Sequence, residues 1–419
     1  MRYLSNRLRI FNFLWGFLWF WMGLKIGLPI VFKNNLFISS AINVFIPIFI
    51  GVIFFFLWLN IKNRKSIINF SYIFIFYLIV FFICLYSPFI NRGNFLRVFG
   101  FFFSSFSIVF SIWVFVSFSP SLSISLIKSG RFYIFGLLSS SLLLLLNIPH
   151  SLSGIFQASF RLGDVNLLHP NTYGFALGFG FIFLIFIPIF KNKIINILIT
   201  LILLLGLILT QSKTAIFSVF IALLFNFFFS RKINIHFYFI LLFFYLIFLI
   251  LYAFEIQMFP FLRSINESVF LISLINRVDI WSVVLDLVSK RPFFGYGFGV
   301  FEDVIYPFMT ILRIQLDTIV HAHNAFFDVL FSYGYFGLVF FLIIIFKAII
   351  SIFRSLKQLN WRPPSNFLFV VLIFIISHSV TEASLNLQID FWFLIWLTAI
   401  SEKIYTVTVI KESFPYLSS

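Results

Sequence analysis

Long apolar runs follow one another along most of this chain, and they constrain its fold more than any other feature. A transmembrane helix needs about 20 predominantly apolar residues, and only helices and closed barrels satisfy their backbone hydrogen bonds inside a bilayer. The candidate spans are 10–32, 36–60, 67–89, 95–118, 132–149, 172–190, 194–210, 214–229, 237–254, 324–346, 366–380 and 389–401. The sequence therefore predicts an all-α polytopic membrane protein with about 12 transmembrane helices.

The charged residues predict how these helices are oriented. They make up 10% of the 419 residues, against about 25% in soluble domains. With 12 spans, the main basic clusters between the helices fall on the same side as both termini, which the positive-inside rule assigns to the cytoplasm. These groups include Lys62, Lys128, Lys191, Arg231 and Arg354. Most acids, including Glu382, map to the outer side. Topology thus explains the net charge of +16 without a nucleic-acid partner.

The segments between the spans divide the chain into three predicted parts. Residues 1–254 contain the first nine transmembrane helices, with a short periplasmic loop near 150–171. Residues 255–323 form a large periplasmic loop, and 324–419 contain helices ten to twelve and a cytoplasmic tail. Long loops in compact chains are usually functional or disordered. Because the large loop has aromatic and helical patterning, we expect it to be folded.

One stretch of the large loop, NRVDIWSVVLDLVSKRPFFGYGFG (276–299), has the periodicity of a helix. Its apolar face comprises Val278, Trp281, Leu285 and Val288. Pro292, with Gly295 and Gly297, ends the helix. Two interpretations of Arg277 remain open. The helix either lies on the membrane surface with Arg277 solvated, or presents Arg277 to a site.

Two further stretches place polar side chains at the predicted outer face. In LTQSKTAIF (209–217), Lys213 opens the eighth span, either as a lysine that snorkels to the interface or as a cation for an anionic ligand. The stretch FRLGDVNLLHPNTYGFALG (160–178) supplies Arg161, His169 and Asn171. Asn171 is also suited to capping the sixth span.

The strongest concentration of polar groups opens the tenth span, in VHAHNAFFDVLFSYGYFG (320–337). His321, His323 and Asn324 precede Asp328 by up to two helical turns. An acid inside a membrane segment is a functional hypothesis by default. Two residues that are two positions apart on a helix point in directions about 200° apart. Only one of the two histidines is therefore expected to face a shared cavity. The stretch predicts a histidine base beside cations delivered from other loops.

The sequence contains no Cys/His set with zinc spacing, no phosphate-binding glycine loop and no paired acids of the kind that hold a divalent metal. We therefore expect no metal and no cofactor.

These stretches together resemble the O-antigen ligase and polymerase superfamily of bacterial membrane glycosyltransferases. The ligase signature is His, then Asn, Ser or Gln, nine residues, and Gly-x-x-Gly, which matches His323, Asn324, 325–333, Gly334 and Gly337. The family's arginine-containing helix, closed by proline and glycines, is similar to the stretch that contains Arg277. Its Thr-Gln-(Ser/Thr)-Arg stretch is similar to 210–213, although this chain has Lys213 in place of arginine. Lysine keeps the charge but loses the bidentate grip on phosphate.

The resemblance implies a GT-C-like fold in the bacterial inner membrane and a metal-independent transfer at its periplasmic face. The donor would be a glycan on undecaprenyl diphosphate, and the acceptor a sugar hydroxyl of lipid A–core. His323 would act as general base, with Arg277 and Lys213 holding the diphosphate. The residues expected to bind substrate are Arg161, His169, Asn171, Trp281, His321, Asn324 and Asp328.

Other functions remain open at this point. A polymerase would use the same chemistry with a growing glycan as acceptor, and a protein O-oligosaccharyltransferase would use it with a protein acceptor. A transporter of lipid-linked glycans would instead need cations along a central cavity. The polar groups of this chain gather at one predicted face, which favours a transferase.

Overall fold

The structure is a computed structural model, and it describes most of the chain. The described residues are 2–28, 32, 36–60, 71–91, 95–119, 122–147, 170–229, 269–301, 303–305, 321–359, 365–382 and 389–413. Within these ranges the protein is helical and has no strand. The helices are α1 (Arg2–Leu24), α2 (Leu36–Leu59), α3 (Ser71–Asn91), α4 (Phe95–Phe118), α5 (Leu122–Asn147), α6 (Pro170–Phe186), α7 (Lys193–Leu209), α8 (Lys213–Phe229), α9 (Val269–Lys290), α10 (Ala325–Gln358), α11 (Ser365–Thr381) and α12 (Ile389–Ser413).

The helices have the length and the surface of a membrane protein. Three stretches, Ala41–Leu59, Val98–Phe118 and Ala325–Gln358, are long and apolar enough to cross a bilayer, and shorter apolar helices accompany them. Large apolar side chains point outward, with Phe13 70% and Ile194 65% exposed. Soluble monomers rarely expose extended apolar patches, so this surface suits contact with lipid.

Every predicted span except one overlaps a described helix. The exception, 237–254, lies outside the described residues, so the count of 12 spans stays a prediction.

Helices α11 and α12 form the centre of the bundle. All residues from Phe367 to Val380 and from Asp390 to Ser401 are buried. Helix α11 packs against α6, α8, α10 and α12, and α12 packs in addition against α4. Because α11 is covered on all sides, a polar group at its end is presented to several neighbouring helices at once.

Helix α9 packs against the beginning of α10 and confirms the predicted helix, which starts earlier than the pattern indicated. Val278, Trp281 and Val288 are buried in a cluster with Phe327 and Phe331, and Leu285 is partly buried. The apolar face of α9 therefore covers another helix rather than lying against lipid.

The glycine-rich turn after α9 fits into a break in α10. The break is at Gly334, whose φ of 64° and ψ of −166° are not helical. A break frees carbonyl groups of the preceding turn, and the glycine-rich turn supplies donors for them. Tyr296 donates its N–H to the carbonyl of Phe331 at 2.8 Å, and Gly297 donates to Ser332 at 2.9 Å.

Two glycines make this close approach sterically possible. Gly295 and Gly334 both have positive φ, which favours glycine. A Cβ on Gly295 would lie 2.7 Å from the nitrogen of Gly334, and a Cβ on Gly334 would lie 2.4 Å from the backbone of Phe293. The glycine of the signature that follows His323 thus joins α9 to α10.

Candidate active site

The candidate site lies where the first turns of three helices meet the end of α11. Asn171 is in the first turn of α6, Ser212 precedes α8, and Asn324 precedes α10. Glu382 follows the last residue of α11. Helix N-termini carry partial positive charge, so the first turns of α6, α8 and α10 favour an anion here, against the opposite partial charge at the end of α11.

Glu382 is the centre of the site. Its side chain is only 5% exposed. Oxygen Oε1 accepts from Nδ2 of Asn171 and lies 3.4 Å from a guanidinium nitrogen of Arg277. Oxygen Oε2 lies 3.5 Å from Nδ1 of His323. One carboxylate thus connects the loop helix α9, the first turn of α6 and the segment before α10.

The neighbours of Glu382 keep it ionised. Burial alone would raise the pKa of this carboxyl, but contact with His323 and the charge of Arg277 outweigh it, with a smaller contribution from His321. The pKa of Glu382 is therefore held well below its usual range. The site offers a fixed negative charge to an imidazole and a guanidinium.

The two histidines precede α10 instead of belonging to it, which corrects the expected geometry. Asn324 caps the helix by accepting from the N–H groups of Phe326 and Phe327, so α10 begins only at Ala325. His323 has a φ of 50°, which non-glycine residues rarely adopt. The rings of His321 and His323 consequently lie 4.5 Å apart instead of pointing in different directions.

Asn324 also fixes the end of α11. Its Nδ2 donates to the carbonyl of Val380 at 2.9 Å. This carbonyl belongs to the last turn of α11, where helical acceptors are not otherwise used. Asn324 thereby holds His323 and Glu382 in register across two helix ends.

The side chains of Trp281 and Asp328 bind the backbone of the segment that contains the two histidines. Trp281 donates its indole N–H to the carbonyl of Ala322 at 2.7 Å, and Asp328 accepts from the N–H of Ala322 at 3.3 Å. Both side chains are buried. Because they bind the carbonyl and the N–H of Ala322, which lies between the two histidines, they fix the backbone that carries both rings.

The stretch before α8 reaches Glu382 through Asn171. Ser212 donates to Oδ1 of Asn171 at 2.9 Å, and its hydroxyl oxygen accepts from the N–H of Ala215. The neighbouring Lys213 is the first residue of α8, and its side chain is exposed. Lys213 thus stands beside the site at a helix N-terminus, while Ser212 belongs to its hydrogen-bond network.

The structure brings together most of the predicted site. Arg277, His321, His323, Asn324 and Asn171 meet around Glu382, while Trp281 and Asp328 support them. Arg161 and His169 lie outside the described residues.

Sequence reasoning missed the importance of Glu382 and placed it only among the acids of the outer side. The available signal was its position in SHSVTEASLNLQ (377–388), a polar stretch between two apolar runs. No helical or motif spacing relates it to His323, which lies 59 positions earlier in the numbering.

The arrangement combines a proton acceptor with cations. The imidazole of His323 can accept a proton, and the carboxylate of Glu382 can stabilise the imidazolium that forms. Arg277 and the helix N-termini can stabilise an anionic leaving group. His321, His323 and Glu382 also bring three potential metal-ligand atoms within 4.8 Å of one another.

A comparison with known protein families finds a match over part of the chain. Residues 198–342 match the family model described as O-antigen ligase, while no curated protein matches the chain. The matched segment includes Arg277 and His323 but neither Asn171 nor Glu382. The family consists of membrane-associated enzymes of glycosyltransferase type. The match over residues 198–342 supports the resemblance to the O-antigen ligase and polymerase superfamily that the sequence indicates.

Proposed function

We propose that the protein is an O-antigen ligase that transfers a glycan from undecaprenyl diphosphate to a sugar hydroxyl of lipid A–core at the periplasmic face of the inner membrane. One observation carries the proposal. His323 and Arg277 contact the same buried carboxylate, Glu382, at the meeting point of three helix N-termini. A base and an anion-stabilising surface thus lie side by side, as glycosyl transfer from a diphosphate requires.

His323 activates the acceptor. Its Nδ1 faces the ionised Glu382, which favours the tautomer with the proton on Nδ1 and leaves the lone pair of Nε2 to act as base. As the acceptor oxygen bonds to the anomeric carbon, its proton passes to Nε2. Glu382 stabilises the resulting imidazolium and fixes the ring orientation, as buried acids do in other histidine-based sites.

The cations and helix N-termini of the site receive the leaving group. When the bond between the anomeric carbon and the diphosphate oxygen breaks, its electron pair stays on the lipid diphosphate. Arg277, Lys213 and the first turns of α6, α8 and α10 supply the compensating positive charge. Arg161, which lies outside the described residues, is a further candidate cation from the sequence. The diphosphate bond is already activated, so neither a nucleotide nor a metal has to take part.

The closest alternative is an O-antigen polymerase, because the matched family model is compatible with both. The two activities differ in the acceptor, which is lipid A–core for a ligase and a growing glycan for a polymerase.

Gel analysis of lipopolysaccharide from a strain lacking the gene separates the two. A ligase predicts core without any O-chain, and complementation with wild type restores the ladder. A core that carries a single repeat unit identifies a polymerase and overturns the ligase proposal. Normal lipopolysaccharide in the deletion strain contradicts both functions.

A further inference from the structure

We propose that a zinc ion binds His321, His323 and Glu382 and thereby inhibits transfer. The ion would be an inhibitory ligand of the site, not a participant in the reaction. The binding follows from the cluster itself, whereas the inhibition rests on the proposed role of His323 as base.

The donor atoms suit a small transition-metal ion. Two imidazole nitrogens and one carboxylate oxygen are a ligand set that zinc uses in open sites. In a tetrahedral site with bonds of about 2.1 Å, neighbouring ligand atoms are about 3.4 Å apart. Nδ1 of His323 and Oε2 of Glu382 are 3.5 Å apart, and all three ligand atoms lie within 4.8 Å of one another. Modest side-chain adjustment would close the site around an ion.

The surroundings of the cluster also fit. Metal-bound carboxylates are usually oriented by outer partners. Asn171 and Arg277 both contact Oε1 of Glu382 and leave Oε2 directed at the histidines. The backbone N–H of His323 donates to Nδ1 of His321 at 3.2 Å, so a metal that takes this nitrogen has to displace that hydrogen bond. The nearby guanidinium disfavours a cation, so we expect a reversible site and not a structural one.

A metal bound to Nδ1 of His323 would inhibit transfer because it changes which ring nitrogen carries the proton. In the proposed reaction, Nδ1 of His323 carries a proton and Nε2 accepts one from the acceptor hydroxyl. A metal on Nδ1 requires that nitrogen to be unprotonated, so the proton moves to Nε2. The ring then has no lone pair for the acceptor, even though its net protonation is unchanged.

Calorimetric titration of Zn²⁺ into chelator-treated, tag-free protein in detergent tests the binding without any substrate. We expect one saturable site in wild type. Binding should be at least about tenfold weaker in His321→Ala, His323→Ala and Glu382→Gln, since even outer-shell changes cost about 10–100-fold in affinity. Controls are Asp286→Asn, which alters an exposed acid on α9, and His236→Ala, which removes a histidine elsewhere in the sequence.

Binding that is equal in wild type and the three ligand variants, or absent up to millimolar Zn²⁺, would overturn the proposal. Monodisperse elution of each variant shows that it is folded.

A transfer assay on the same wild-type protein then tests the inhibition. Zn²⁺ should stop transfer, EDTA should restore it, and Mg²⁺ at the same concentration should have no effect, because two nitrogen ligands suit zinc better than magnesium. Transfer in EDTA without zinc binding would support the proposed function and reject the metal site. Zinc binding without any transfer activity would support the metal site and reject the proposed function.

Discussion

Two histidine–carboxylate contacts lie about one helical turn apart at the end of α11, and they differ in burial and in the residues that surround them. At the end of the helix, Glu382 lies 3.5 Å from His323, whose side chain is 20% exposed. Four residues earlier, His378 lies 3.0 Å from Asp390 of α12, with both side chains at most 1% exposed. The inner pair is closer and better shielded, yet the outer pair belongs to the candidate site.

The neighbours of the two pairs explain this difference. The ring of His378 lies 4.8 Å from that of Phe175 and 6.2 Å from that of Phe374, between tightly packed helices. Glu382 instead contacts Arg277 and Asn171, close to the first turns of three helices. A histidine beside an acid therefore does not define a site. Access for a substrate and additional positive charge distinguish the outer pair from one that joins α11 to α12.

The largest expected effect concerns His323. His323→Ala should lower transfer by about 10²–10⁴-fold, the usual contribution of a general base, while donor binding persists. His321→Ala should cost less, because its ring supports the site without taking the proton. Transfer assays at matched membrane expression measure both variants. If His323→Ala were nearly active and His321→Ala inactive, the assignment of His323 as the base would be wrong.

The next effect concerns Glu382. Glu382→Gln keeps the shape but removes the charge that orients His323, so transfer should fall by about 10²-fold, less than for the closer contact in a serine-protease triad. Glu382→Asp should recover part of the rate. If the glutamine variant turns over like wild type at every pH tested, then Glu382 is only a structural link between α9 and α11.

A smaller effect is expected at Lys213. Its charge lies at a helix N-terminus but is exposed and screened, so Lys213→Ala should reduce transfer about tenfold. Lys213→Arg should retain the wild-type rate because the charge remains. Wild-type turnover in the alanine variant would show that Lys213 is not needed for transfer and is a lysine that reaches the membrane interface.

The smallest effect on transfer is expected from the inner pair. His378→Leu leaves a buried carboxylate without this partner, and breaking a buried pair typically costs about 3–5 kcal/mol of stability. Thermal unfolding in detergent should therefore show a clear loss. Transfer per folded molecule should stay within about twofold of wild type, because the described ring contacts of His378 are with Phe175 and Phe374 and not with His323. A large loss of transfer with unchanged thermal stability would make the inner pair part of the reaction.

The sequence could predict whatever depends on neighbours along the chain. Apolar runs of about 20 residues become helices because the bilayer leaves the backbone no other partners. The period of 276–299 predicted the buried face of α9, and the family resemblance carried by short motifs implied roles for Arg277 and His323. The signature motif also included Gly334. Its physical role appeared only in the structure, where the absence of a Cβ lets the turn that contains Gly295 pack closely against it.

The tertiary structure alone decided what these residues do together. Glu382 meets His323, Arg277 and Asn171 because α11 is packed among α6, α8 and α10, and sequence spacing contains no trace of that packing. The two histidine rings lie edge to face, 4.5 Å apart, because the Asn324 cap delays the start of α10. Helix formation depends on local hydrogen bonds and hydrophobic length, whereas a site built from four helix ends depends on side-chain packing between segments distant in the chain.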